Sequence, residues 1–89
     1  MLNKINPGDV VVSTAGRDKD NIFLVVEVKD KFVYLADGKV RKVQNQKKKS
    51  AKHIKVILPN GLNDLSEKIK RGEQVGNERL YRLLSNKKI

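Results

Sequence analysis

Ile22-Phe23-Leu24-Val25-Val26-Glu27-Val28-Lys29, then Asp30-Lys31, then Phe32-Val33-Tyr34-Leu35-Ala36, is the stretch on which the fold turns. Both runs are dense in β-branched and aromatic residues, and the Lys29-Asp30-Lys31 step between them is short enough for a reversal. They are expected to form two antiparallel strands. Upstream, Pro7-Gly8-Asp9 is turn chemistry, and Val10-Val11-Val12-Ser13 reads as a strand before them. The polar segment Thr14 to Asn21 is a loop. Downstream, Asp37-Gly38 is the strongest short-range hairpin signal, because both residues tolerate a positive φ. A short fourth strand, Val40-Arg41-Lys42-Val43, is expected after it. Gln44 to Lys52 has no periodicity and reads as an exposed loop. Ile54-Lys55-Val56-Ile57-Leu58 is a fifth strand, with Ile54, Val56 and Leu58 on one face, ended by Pro59-Asn60-Gly61.

After Gly61 the period changes. Leu62, Leu65 and Ile69 share a helical face, with Asn63 as N-cap and Gly72 as the stop. A second helix is expected from Asn77, with Leu80, Leu83 and Leu84 inward. Asp64–Lys68, Glu67–Arg71 and Glu78–Arg82 stand in the favourable acid-first i,i+4 order. Helices this short do not hold alone in water. The expected architecture is therefore mainly β: a five-stranded antiparallel barrel over residues 1–59, with a two-helix extension over 60–89 packed on it.

The chain has 89 residues, 38% of them hydrophobic and 4% aromatic, and a net charge of +10. A chain this short hides only about 60% of its unfolded surface, so its aliphatic residues carry the core. It has no cysteine, which excludes a disulfide scaffold, a thiol nucleophile and Cys-ligated metal, and fits a reducing cytoplasm. Neither a bilayer-spanning run nor a signal-peptide stretch is seen, so a cytoplasmic protein without membrane attachment is expected.

The positive charge is unevenly placed. Residues 1–37 sum to −1 and residues 64–89 to +3, whereas residues 38–63 hold eight basic side chains and no acidic one. The eight are Lys39, Arg41, Lys42, Lys47, Lys48, Lys49, Lys52 and Lys55. Such crowding costs self-repulsion that a polyanion, or plain solvation of a surface loop, relieves. Arg17 and Lys19, beside Gly16, add cations in the first long loop. Cations so placed can neutralise phosphates and release condensed counterions.

Catalysis is poorly supplied. His53 is the sole histidine, Ser50 precedes it by three residues, and no carboxylate lies nearby in sequence to orient an imidazole. Nor do the glycines form a phosphate-cradling motif. No enzymatic activity, cofactor or metal is expected. Phe23, Phe32, Tyr34 and Tyr81 all fall on strands or helices, where core filling is the simpler reading than base stacking. The chemistry thus points to backbone and shape recognition rather than sequence readout. His53 can be read as an exposed histidine or as an RNA contact.

Residues 7–19, Pro7-Gly8-Asp9-Val10-Val11-Val12-Ser13-Thr14-Ala15-Gly16-Arg17-Asp18-Lys19, together with Phe23-Leu24-Val25-Val26, resemble the KOW motif of ribosomal proteins and transcription elongation factors. Phe32 to Gly38, Val40-Arg41-Lys42 and Lys52-His53-Ile54 extend the resemblance. More specifically, these segments resemble small bacterial KOW-domain RNA-binding proteins, similar to the "fourteen-e" large-subunit ribosomal protein family. The resemblance covers about residues 5 to 58. It implies an SH3-like barrel that binds ribosomal or other structured RNA through its loops. It places Gly16, Arg17, Lys19, Arg41, Lys42, Lys52 and His53 near the nucleic acid; Lys39 and Lys47 to Lys49 join them on charge. Asp20 departs from the glycine expected in much of that family. The expected partner is structured RNA, ribosomal RNA or the ribosome, bound by a monomer. The alternative is a protein-interaction module of the elongation-factor type, docking on polymerase or a ribosomal protein through an exposed apolar patch formed by Ile57 with part of the helical tail. A double-stranded-DNA binder is a third reading, without a recognition helix to support it.

Overall fold

A computed structural model of the chain describes residues 4–86. The strands are β1 (Val10–Ser13), β2 (Ile22–Lys29), β3 (Phe32–Ala36), β4 (Lys47–Ser50) and β5 (Ile54–Leu58), followed by helices α1 (Asp64–Lys70) and α2 (Asn77–Ser85). They form one five-stranded antiparallel sheet in the order β4-β3-β2-β1-β5. A 3-10 turn, Ala51–His53, links the two edge strands. Among the described residues no ladder joins β4 to β5, so the sheet is not hydrogen-bonded into a closed ring.

Alternation along the strands sorts the aliphatic residues into two cores, as period 2 requires. Val10, Leu24 and Ala36, in register across β1, β2 and β3, face the helices and meet Leu62, Leu65, Ile69, Leu80 and Leu84. Val11, Phe23, Val25, Val33 and Leu35 point the other way and form a second cluster, joined by Ile54 and Val56 of β5. Period 2 carries Val26 to the helix side with Leu24, and a bulge between Val25 and Glu27 then shifts the alternation so that Val28, three residues after Val25, packs on the second cluster. On β5 the expected single face is broken: Leu58 is 38% exposed, while Ile57 packs against the helix-side core. A register shift between Val10 and Val11, opposite β5, accounts for this.

Residues 37–52 fold differently from the sequence expectation. Val40 to Val43 is not a strand, because side chains take the N–H groups a ladder would need. Asp37 Oδ1 accepts from Lys39 N (2.9 Å) and Arg41 N (2.8 Å), and Asn77 Oδ1 accepts from Val43 N (2.8 Å). Asp37 N and Gly38 N both donate to the Arg41 carbonyl, closing a compact loop. The fourth strand comes later, within the segment expected to be an exposed loop: Leu35 pairs with Lys47 and Phe32 with Ser50. Lysine suits this position, since a charged edge strand resists pairing with other chains.

The helices begin and end near the expected places. Asn63 precedes α1 but makes no side-chain cap, and its backbone is left-handed (φ 50°). Gly72 (φ 77°) ends α1: Gly72 N donates to the Ile69 carbonyl and Glu73 N to the Lys68 carbonyl. That is the paired closure that satisfies a helix's last carbonyls. Of the expected i,i+4 pairs, Glu78–Arg82 forms at 3.6 Å; in α1 Glu67 instead meets Lys70 (3.7 Å), and Arg71, just past the helix, meets Glu73 (2.7 Å).

Ser66 fastens α1 to the start of the sheet. Fully buried, its Oγ donates to the Gly8 carbonyl (2.6 Å) and accepts from Leu62 N (2.9 Å). Ser66→Ala strands both backbone groups in the interior and is expected to cost about 1–3 kcal/mol. Urea titration reads this as a lowered midpoint at unchanged slope.

Candidate nucleic-acid interface

The first loop (residues 14–21) is built around one carboxylate. Asp18 is only 9% exposed, and its Oδ1 accepts from Ser13 Oγ (2.8 Å) and Lys49 Nζ (2.7 Å). Lys49 Nζ also donates to the Ala15 carbonyl (2.7 Å). Oδ2 accepts no hydrogen bond among the described residues and faces Lys47 Nζ at 3.4 Å. Burial pushes the Asp18 carboxyl up, but the hydrogen bonds from Lys49 and Ser13, the Lys49 charge and the Lys47 ammonium outweigh it. The net result is a pKa of about 2.

This bridge pins the loop tip to β4. A second tie runs from Thr14 N to the His53 carbonyl (2.9 Å), pinning the loop's start to the 3-10 turn. Arg17 and Lys19 remain exposed on the loop, and Lys52 and His53 are exposed on the turn to which that loop is tied. Gly16, next to Arg17 in the loop, holds φ 85°, and a Cβ there would come within 3.3 Å of Lys49 Nζ. Asp20, also left-handed (φ 74°), holds a conformation that glycine would adopt without strain.

The other sequence-predicted residues divide. Lys47 and Lys49 face Asp18; the Lys49 side chain is only 11% exposed, and that of Lys47 30%. Lys48 points to the opposite side, with its Nζ 4.3 Å from the centroid of the Phe32 ring. Lys39 and Lys42 are exposed on the 37–46 segment and Arg41 is half-buried there. Lys39 Nζ lies 5.2 Å from the centroid of the Tyr81 ring of α2. The lysine run therefore does not act as one patch. Alternating strand geometry turns two of its members inward to a carboxylate and one outward to an aromatic ring.

Core filling holds for Phe23, which is 2% exposed, but not for the other aromatics. Phe32 is 38% and Tyr81 42% exposed, and Tyr34 is half-buried. The structural role of Asp18 was also hidden, because its partner Lys49 is 31 positions away. Between the first loop, the 37–40 segment and α2 lies an open groove of about 740 Å³, lined by Asp20, Asp37, Lys39, Val40 and Tyr81 among others. No cluster of three or more potential metal ligands occurs among the described residues, and no helix there is long and apolar enough to cross a membrane. In comparisons with known proteins, neither a family model nor a curated protein matches this chain.

Proposed function

We propose that this chain is a non-enzymatic RNA-binding protein, an SH3-like barrel of the KOW type. It holds structured RNA, of which ribosomal RNA is the favoured class, chiefly through the phosphates. The observation that carries the reading is the double tie of the first loop to β4 and the 3-10 turn. By drawing Asp18 inward, it leaves Arg17, Lys19 and Lys52 as cations along one edge, with His53 beside them. Preorganised cations are well suited to phosphates, because the ordering entropy is spent on folding rather than on binding. The strand order and the shared core of β3 and β5 support the barrel reading. Lys48, Lys39, Lys42 and Arg41 extend the positive field around this edge, whereas Lys47 and Lys49 hold the loop in place.

The test is binding of a structured RNA and a matched DNA duplex at several salt concentrations. The chain is compared with a variant carrying Arg17→Ala, Lys19→Ala and Lys52→Ala. Each lost phosphate contact lowers the slope of log K against log salt by about 0.7–0.9. A slope shallower by about 2, with RNA preferred over DNA, is the expected result. An unchanged slope refutes phosphate contact at this edge. A protein-docking role has its own foothold in the groove, where Val40 is 77% exposed beside Tyr81. Val40→Asp, which leaves the basic edge intact, would abolish binding of a protein partner and spare RNA.

A further inference from the structure

We propose that Phe32 is a stacking platform for an unpaired base of the bound RNA, with Lys48 as the cation that shares its face. This deepens the RNA-binding reading and rests on it. The sheet face that α1 and α2 cover at Val10, Leu24 and Ala36 emerges into solvent toward the β2–β3 hairpin. There Phe32 lies between Lys29 of β2 and Ser50 of β4, and Tyr34 between Glu27 and Lys48. An isolated exposed phenylalanine is ordinary. This one differs in its neighbours: its cross-strand partners are a lysine and a serine rather than aliphatic residues, and an ammonium already occupies its ring face at 4.3 Å.

The surroundings suit a nucleic-acid strand. Ala51 N donates to the Lys31 carbonyl (2.8 Å), which brings the hairpin end bearing Lys29 and Lys31 beside the turn bearing Lys52. Lys52 belongs both to this end and to the phosphate-binding edge. Glu27 and Asp30 are the acidic residues of the hairpin, against Lys29, Lys31, Lys48 and Lys52 around it. A backbone running along the 3-10 turn can therefore lay a base on Phe32. The base replaces the Lys48 ammonium on the ring, and the freed ammonium turns to a phosphate. Flat aromatic faces accept any base, so the platform adds affinity for unpaired nucleotides without strong sequence preference.

The experiment uses a short oligouridylate and, as a base-free polyanion, inorganic polyphosphate. Phe32→Ala is expected to weaken oligouridylate binding about tenfold and leave polyphosphate binding unchanged. Phe32→Leu, which keeps an apolar side chain without a π-face, should show the same loss. The chain has no tryptophan, so Phe32→Trp provides a clean reporter. Its emission should be quenched by oligouridylate and not by polyphosphate. Unchanged affinity in Phe32→Ala and Phe32→Leu, with affinity still lost in the Arg17, Lys19 and Lys52 variant, overturns the platform and leaves the phosphate reading standing. Failure of the unaltered chain to bind any RNA overturns both.

Discussion

Gly38→Ala is expected to cost about 3 kcal/mol and to lift α2 from the sheet. Gly38 holds φ 84°, a region that costs an L-residue about 1–2 kcal/mol. The larger obstacle is space. A Cβ there would run into the Asn77 carbonyl oxygen and come within 2.8 Å of Tyr81 N, both of them α2 backbone. Backbone cannot swing aside as a lysine tip can, so either the Asp37–Arg41 loop or the helix must move. Moving the helix draws Leu80 and Leu84 out of the core and breaks the bond from Val43 N to Asn77. Gly72→Ala is the control: φ is 77° there too, but nothing lies within 4 Å of the added carbon. It should lose only the conformational part. Urea midpoints for the two variants measure the difference, and equal losses would show that the contact with α2 carries no energy.

The same loop shows what could be read from the residues alone and what could not. The strands Val10–Ser13, Ile22–Lys29, Phe32–Ala36 and Ile54–Leu58 were legible because each carries its own signal, a β-branched run bounded by turn residues. The leucines of α2 were legible for a related reason: their spacing records which face is buried. Residues 37–50 were illegible because Asp37 closes a local loop where a hairpin was expected, and because distant partners fix the rest. Asn77 takes an N–H from a residue 34 positions earlier, and Asp18 recruits a lysine 31 positions later. A lysine run has no period of two, so β4 looks like a loop until the carboxylate facing half of it is known. The basic segment was visible as a concentration of charge. Its division into structural lysines and free ones was not, since that depends on which way each side chain leaves the strand.

Asp18 provides the sharpest test of that division. Asp18→Ala removes the anion from Lys49, whose side chain is 11% exposed and keeps only the Ala15 carbonyl as a partner among the described residues. Stranding one half of a largely buried pair typically costs about 3 kcal/mol or more. That is a large share of the roughly 5–15 kcal/mol that holds a small domain together. Pairing Asp18→Ala with Lys49→Met should recover part of the loss, because the buried charge leaves with its counterpart. The pH dependence follows from the same geometry. The carboxyl is lowered from 3.8 to about 2 by folding, so between these values the unfolded chain binds the proton more readily than the folded one. Its stabilisation, roughly 2 kcal/mol for a shift of this size, is therefore complete above about pH 4 and drains away as pH falls toward 2. Thermal midpoints should fall over that window in the unaltered chain and change less in Asp18→Asn. If Asp18→Asn keeps the full acid dependence, the stability drains through other carboxylates. If Asp18→Ala is instead as stable as the parent but loses RNA affinity, Asp18 orders the binding edge without holding up the fold. The two roles assigned to this side chain, fastening the loop and presenting Arg17 and Lys19, are thereby separable.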